Sequence, residues 1–320
     1  MTILKSINYG LMSIFFFVVG LEIKRELTSG HLTKFRQALT PLLAAVGGMA
    51  APALIYLALA GQDAPKGWAI PVATDIALAV GILALVGARA SEGLKTFLLA
   101  LAVIDDIGAI IIIAIVFSTG VIFSWLLASL LTILLFLTLI KAKLAKPYLY
   151  IPFGLLLWFS LYKSGLHPTL AGVIMGLLTP VHQISRLENS FHRVSAYVVV
   201  PLFAFANSGI ILSREAFRAA LTSPVAWGII AGLVIGKPLG IFLVTKLAVR
   251  ARIAELPAGT SNSSLAAVGS TAGIGFTVAI FIAKLAFMEP ALADLAVTAV
   301  IAGSVLSGLI GVALFRRVRA

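Results

Sequence analysis

Eleven apolar runs follow one another along the chain, at about 8–26, 37–60, 68–87, 94–117, 121–140, 148–162, 165–179, 190–212, 223–246, 262–285 and 291–315, with only short polar breaks between them. The hydrocarbon core of a bilayer is about 30 Å thick and takes about 20 mostly apolar residues per helical span. The pattern predicts an all-α polytopic membrane bundle of about 11 transmembrane helices, with the lipid bilayer as its surroundings. Composition enters here as an exclusion. Of the residues, 61% are hydrophobic and 11% charged, whereas about a quarter of a soluble domain is charged, so folding in water is ruled out. One transmembrane domain is expected over residues 1–320. Its first run, Ile14 to Leu21, flows into a charged helix end without a small-residue cleavage site, so it is expected to stay in the mature protein.

The net charge of +12 would suggest nucleic acid in a soluble protein, but the basic residues are spread through the breaks and do not form one patch with interleaved aromatics. No nucleic-acid partner is expected. Loops on the cytoplasmic side of membrane proteins carry the excess of Lys and Arg, and an odd number of spans puts the termini on opposite sides. The side holding the C-terminus receives 17 of the 24 basic residues, against Lys5, Lys66, Lys163, Arg214, Arg218 and Lys284 on the other, with Lys237 inside a span. The C-terminus is therefore expected to be cytoplasmic. No cysteine is present, which removes disulfides and thiolate metal sites.

Small residues such as Gly47, Gly48, Gly172 and Gly176 let neighbouring helices approach closely. Two spans carry interruptions in corresponding positions of the two halves: Pro71-Val-Ala-Thr-Asp75 in the third and Gly273-Ile-Gly-Phe-Thr277 in the tenth. Freed backbone groups at membrane depth must be satisfied by protein or by a watery cavity, so two broken helices are expected. A break exposes partial positive charge at half-helix N-termini and negative charge at C-termini. Asp75 is placed to offset the former. Thr74 can offer an oxygen to a cation, although bonding back to its own helix is the commoner fate of a threonine.

Only Asp75, Asp105 and Asp106, of 12 acidic residues, fall near the middle of spans. A charge there costs several kcal/mol, about 3 on the gentlest scale, so such carboxylates face a cavity, pair with a cation or carry ions. The plainer reading is a structural ion pair. Asp105 and Asp106 are adjacent and point about 100° apart on a helix, which gives them different jobs. Two nearby carboxylates repel when both are ionised, so proton release becomes sensitive to a competing cation. Oxygen ligands suit a small alkali cation better than a transition metal. Na+ or Li+ held by Asp106, Asp105 and Thr74 would compete with H+ for one site, and that competition is an exchange mechanism. Lys237, in Gly236-Lys-Pro-Leu-Gly240, needs an anionic partner. Neutralising Asp105 and carrying a proton are both open to it. No resident cofactor is expected, only the transported ions.

Phe15-Phe-Phe-Val-Val-Gly-Leu-Glu-Ile-Lys-Arg-Glu-Leu27, Gly67-Trp-Ala-Ile-Pro-Val-Ala-Thr-Asp75, Leu101-Ala-Val-Ile-Asp-Asp-Ile-Gly-Ala-Ile110, Pro201-Leu-Phe-Ala-Phe-Ala-Asn207, Gly236-Lys-Pro-Leu-Gly240 and Gly273-Ile-Gly-Phe-Thr277 together resemble the NhaA-type sodium/proton antiporters of bacterial inner membranes, over nearly the whole chain. The resemblance implies inverted repeats, with Thr74, Asp75, Gly273, Gly275 and Thr277 at the crossing of two broken helices. It implies an ion and proton site at Asp105 and Asp106, with Asp105 paired to Lys237. It also implies pH-regulated, electrogenic exchange of cytoplasmic Na+ or Li+ for external H+, by a multi-pass inner-membrane protein that is not an enzyme. Glu22, Arg25, Glu26, Arg186 and Glu188 fall on the family's cytoplasmic pH-response cluster, and His167 on a histidine tied to that response. His31, His182 and His192 are assigned to solvated loops. The family's members carry one more N-terminal helix and an external β-hairpin before the Phe15 motif, which this sequence lacks, and Tyr9 stands where some carry an acidic residue. Because the family dimerises largely through that hairpin, a homodimer is in question.

Two other readings use the same residues. One is a different cation-coupled transporter of this architecture, recognised by substrate-specific polar residues along the broken helices. The other is an intramembrane aspartyl protease, whose carboxylates must converge from separate helices; adjacent Asp105 and Asp106 do not easily do so. A passive channel is disfavoured by a lysine in the cation path.

Overall fold

The computed structural model describes residues 3–318 except 34, 119, 145, 208–219 and 258–259. The end of the eighth expected span, 208–212, and the loop residues Lys34, Arg214, Arg218 and Arg319 lie outside the described residues. Among those described, the regular elements are helices. They are α1 (Ile3–Thr28), α2 (Phe35–Ala60), a 3-10 helix (Pro65–Val72), α3 (Ile76–Val86), α4 (Glu92–Val116), α5 (Phe123–Lys141), α6 (Tyr150–Ser164), α7 (Leu170–Leu178), α8 (Val181–Val194), α9 (Val200–Asn207), α10 (Pro224–Ala231), α11 (Lys237–Arg250), α12 (Asn262–Ala272), α13 (Phe276–Ala286) and α14 (Pro290–Arg317). Among the described residues, seven helical stretches are long and apolar enough to cross a membrane, or eight if the bent pair α12 and α13 is one span.

The other three expected spans take different forms. Fifteen-residue α6 is short. Nine-residue α7 covers only about 14 Å, because Gly165, in the left-handed region at φ 88°, ends α6 and Pro168 has no N–H to continue a helix. In place of a span beginning at 190, the structure has α8 starting at Val181, with His182, Arg186, Glu188, His192 and Arg193 on it. This polar, amphipathic helix lies outside the spans. The apolar run follows it through a π-helical turn, Ser195–Val199, into α9.

The chain groups into two compact units, Met1–Gly30 with Ile110–Ala206, and His31–Ala109 with Asn207–Ala320. In the first, α1 packs on α7 and α8, α5 on α6, and α6 on α7. Its core gathers Phe17, Leu21, Phe136, Tyr150, Leu157, Leu161 and Met175. The small residues serve packing, as a Cβ on Gly172 would overlap the backbone oxygen of Ser13.

In the second unit α2 lies along α11, α12 packs against α14 and α11, and α13 against α14 and the 3-10 helix. A Cβ on Gly240 would overlap the Gly47 carbonyl, so these backbones touch directly and draw Lys237 into the interior. Leu83, Leu94, Phe97, Leu98, Leu101, Ile241, Leu265, Val268 and Phe315 form the core. Both expected breaks are present. The third span is a 3-10 helix with Pro65 in its first turn, an extended stretch at 73–75, then α3. The tenth is α12, an interruption at 273–275 and α13, bent by 47°.

Candidate ion site

Asp75 joins the two interruptions. Its Oδ1 accepts the Leu78 N–H at 3.1 Å, capping α3, and its Oδ2 accepts the Thr277 N–H at 3.1 Å and the Thr277 hydroxyl at 2.6 Å. Its own N–H donates to the Ile274 carbonyl at 2.6 Å. One carboxylate thus faces the N-termini of both α3 and α13, where the helix dipole favours negative charge. Each oxygen is already bonded, which makes Asp75 the fastening of the crossing.

Asp105 stands near the middle of α4. Lys237 Nζ lies 2.9 Å from its Oδ2, and the Thr74 hydroxyl lies 2.7 Å from the same oxygen. That hydroxyl is also 2.9 Å from the carbonyl of Ala272, the last residue of α12, so its single proton can serve either acceptor. The Lys237 ammonium donates as well to the carbonyl of Val72, the last residue of the 3-10 helix. The lysine therefore ties the carboxylate to the negative end of a half-helix, as the dipole favours for a cation, while the neutral threonine hydroxyl lies between the carboxylate and the C-terminal carbonyl of α12. Among the described residues Asp105 Oδ1 accepts no hydrogen bond. Asp106 is buried beside it on α4 and within electrostatic reach of Lys237.

Thr74, Asp75, Asp105, Asp106, Lys237 and Thr277 are all buried, at no more than 2% exposure. Buried charges persist only when paired and hydrogen-bonded. Here one buried ammonium, that of Lys237, faces two carboxyl groups, Asp105 in direct contact and Asp106 within electrostatic reach. No cluster of three His, Cys, Asp or Glu residues able to hold a metal ion occurs among the described residues. The groups that do meet are carboxylate and hydroxyl oxygens, which suit a hard cation better than a transition metal. The two glycines at the break permit close approach: a Cβ on Gly273 would overlap the Leu233 carbonyl, and one on Gly275 would come within 3.1 Å of the Ala73 oxygen.

A separate ionic group lies in the other unit. Arg25 pairs with Glu188 and lies 3.6 Å from Glu26. His192 Nδ1 is 3.7 Å from Glu22 Oε1. Burial raises the Glu188 pKa and Arg25 opposes that rise. The Glu22 carboxylate raises the pKa of His192. His182 and His192 thus belong to helix α8 and not to loops, because its polar face continues through Arg193. The signal for His192 is its i, i+4 spacing from Glu188.

Not every expected member is gathered here. Arg186 is exposed and makes no ion pair among the described residues. His167 is buried against Thr169, with Nδ1 2.7 Å from its hydroxyl, and meets the edge of Tyr9 at 4.8 Å between ring centroids. Tyr9 precedes Glu22 by about 20 Å of helix, so the histidine stands apart from the cluster.

Comparison with known proteins gives this geometry its relatives. The family model described as Na+/H+ antiporter 1 matches residues 1–315. A Na(+)/H(+) antiporter NhaA of Citrobacter koseri is 48% identical over 315 residues, covering 95% of this chain and 81% of that protein. The Na(+)/H(+) antiporter NhaA of Escherichia coli O1:K1 / APEC is 47% identical with the same coverage. The Na(+)/H(+) antiporter NhaA 1 of Klebsiella pneumoniae subsp. pneumoniae is 46% identical, covering 97% of this chain and 81% of that protein. With a family match running over almost its whole length, the chain belongs to the Na+/H+ antiporter 1 family.

Proposed function

We propose that this chain exchanges Na+ or Li+ for H+ across a bacterial inner membrane, and that Asp105 and Asp106 hold either the proton or the metal ion, never both. The single observation that carries the site assignment is the fully buried Asp105–Lys237 pair at 2.9 Å, set where two broken helices cross. When both aspartates are ionised, Lys237 balances only one of them. A hydrogen ion or an alkali cation must supply the remaining positive charge. Sodium binding to the carboxylates and the Thr74 hydroxyl displaces the proton, and reprotonation from the other side releases sodium.

Alternating access by rocking of one helical bundle, a scheme for which NhaA is itself a standard example, would expose the site to each compartment in turn. The proton gradient then drives cytoplasmic sodium outward; electrogenic exchange needs a second proton per sodium, which Lys237 can release when sodium engages its partner Asp105. The excess of basic loops on the side of the C-terminus supports a cytoplasmic C-terminus. The Glu22–His192 and Arg25–Glu188 contacts support a pH-responsive cluster. No resident cofactor and no enzymatic reaction enter this scheme. A protease reading is disfavoured because Asp105 and Asp106 leave one helix about 100° apart and one of them is engaged by a lysine.

The test is a vesicle assay. Purified protein in liposomes with a preset pH gradient receives NaCl, LiCl or KCl, and collapse of the gradient is followed for the parent, Asp106→Asn and Lys237→Ala. Sodium and lithium should dissipate the gradient in the parent alone. Equal dissipation by protein-free vesicles, or an undiminished rate with Asp106→Asn, would overturn the reading.

A further inference from the structure

The segment leading into Lys237 cannot be a regular helix. Pro238 has no N–H to donate, and the chain widens into a π-helical turn at Gly232–Gly236, where the Lys237 N–H reaches back to the Gly232 carbonyl. The Leu233 carbonyl would receive Lys237 N–H in an α-helix, or the N–H of residue 238 in the wider turn. Neither arrives. The Ser307 hydroxyl of α14 donates to it instead, at 3.3 Å and out of contact with solvent. Gly273 of the broken span packs at the same place, since a Cβ there would lie 2.7 Å from Ser307 Oγ.

Three residues before it on α14, Ser304 is buried and accepts the Phe276 N–H at 3.1 Å. That N–H opens α13, and the next one along the chain, Thr277, goes to Asp75. Buried serines and threonines in helices usually bond back to their own preceding turn, as Ser270 does to Ala266 and Thr271 to Ala267. Ser304 and Ser307 do not, and both reach out of α14 to backbone that a break or a bulge has freed.

We propose that Ser304 and Ser307 are positioning residues for exchange: one face of α14 fixes the register of the 273–275 break and of the turn before Lys237, so that the lysine meets Asp105 and Asp75 meets Thr277. This rests on the assignment of Asp105 and Lys237 to the ion site. Neither serine touches an ion. Ser307 acts through the direction of Lys237, and Ser304 through the open end of α13.

The experiment compares full-length protein in liposomes carrying Ser307→Ala, Ser304→Ala, Ser307→Cys and the hydroxyl-retaining Ser307→Thr and Ser304→Thr. The rate per folded protein is read as a function of pH and of sodium concentration. Ser307→Ala should move the pH midpoint of exchange by about half a unit or more, as expected when the neighbour of a titrating group is reoriented. Ser304→Ala should raise the apparent KM for sodium by about threefold or more while the maximal rate falls less. Threonine should restore each value toward the parent.

A role confined to stability would lower yield and maximal rate while leaving midpoint and KM in place, and that result overturns the proposal. If an alanine variant does not fold, Ser307→Cys, of similar size but a weak donor, carries the test, and an unshifted midpoint there overturns it. Lys237→Ala and Asp105→Asn are run alongside. Unaltered exchange in those two would refute the site assignment itself, whereas their failure beside parent-like serine variants refutes only the role of α14.

Discussion

Lys237 Nζ and Asp105 Oδ2 are 2.9 Å apart with neither side chain exposed to solvent. Removing one member of such a pair strands the other charge in a low-dielectric interior, at a cost of about 3–5 kcal/mol, while removing both costs much less. Lys237→Ala and Asp105→Asn should each lower the Tm in detergent, and the double variant should recover part of the loss. Thermal unfolding of the four proteins in a double-mutant cycle checks this, and strictly additive losses would contradict the pairing.

Thr74 contributes a different bond to the same oxygen. Thr74→Val keeps the shape and deletes the hydroxyl, so Asp105 loses a donor and any bound cation loses an oxygen. A hydrogen bond to a charged group is worth about 1.5–3 kcal/mol. The expected outcome is a lower Tm together with a raised apparent KM for sodium, and Thr74→Ser should fall between valine and the parent. A variant with parent-like sodium dependence would remove Thr74 from the cation's surroundings.

Much of this site is legible in the sequence because charge at membrane depth is rare: Asp75, Asp105, Asp106 and Lys237 stand out against apolar runs. Pro71 and Gly273 mark the breaks for a similar reason, as each disturbs a helical ladder that a span needs whole. Other features depend on what a neighbouring helix presents. The Ser304 and Ser307 bonds look like ordinary helical serines until α14 is set against the break. Likewise, Pro238 announces a disturbance without saying that the Leu233 carbonyl is left open. The nine-residue α7 is also shorter than the apolar run suggests, since Gly165-Leu-His-Pro-Thr169 forms a turn at Gly165 and Pro168 and the helix begins only at Leu170. His192 is missed because a histidine near a run of polar residues reads as solvated, whereas Glu22 approaches it from α1.

The His192–Glu22 contact sets a pH dependence. The neighbouring carboxylate raises the histidine pKa in the folded protein above its usual 6.5. Protonated histidine is therefore favoured by folding, and the contribution is fully present below the unfolded pKa and fades as pH rises through the raised value. The imidazole is largely exposed, so the effect belongs with exposed ion pairs at about 0.2–1 kcal/mol. His192→Ala should lower the Tm slightly at acidic pH and leave it unchanged at alkaline pH. Thermal unfolding across pH 5 to 9 in about half-unit steps reads this directly, and a difference that grows toward high pH would reverse the assigned sign.

Asp75 makes the last prediction, because its two oxygens do separate work. Oδ1 caps α3 through Leu78, and Oδ2 receives both donors of Thr277 at the start of α13. Asn is also a good N-cap, so Asp75→Asn can keep one set of these bonds. Its NH2 group would then face donors at the other helix end. Asp75→Ala loses both sets and leaves two helix N-termini facing a carboxylate that is no longer there. A single cap is worth about 1 kcal/mol and a charge-assisted bond about 1.5–3 kcal/mol. The Tm should therefore fall modestly for Asp75→Asn and substantially for Asp75→Ala, with Thr277→Val close to the former. Because Thr74 adjoins the same crossing, exchange should weaken in that order too. Paired unfolding and vesicle measurements on the three variants would show it, and an alanine variant as stable as the parent would mean that the crossing is held by packing alone.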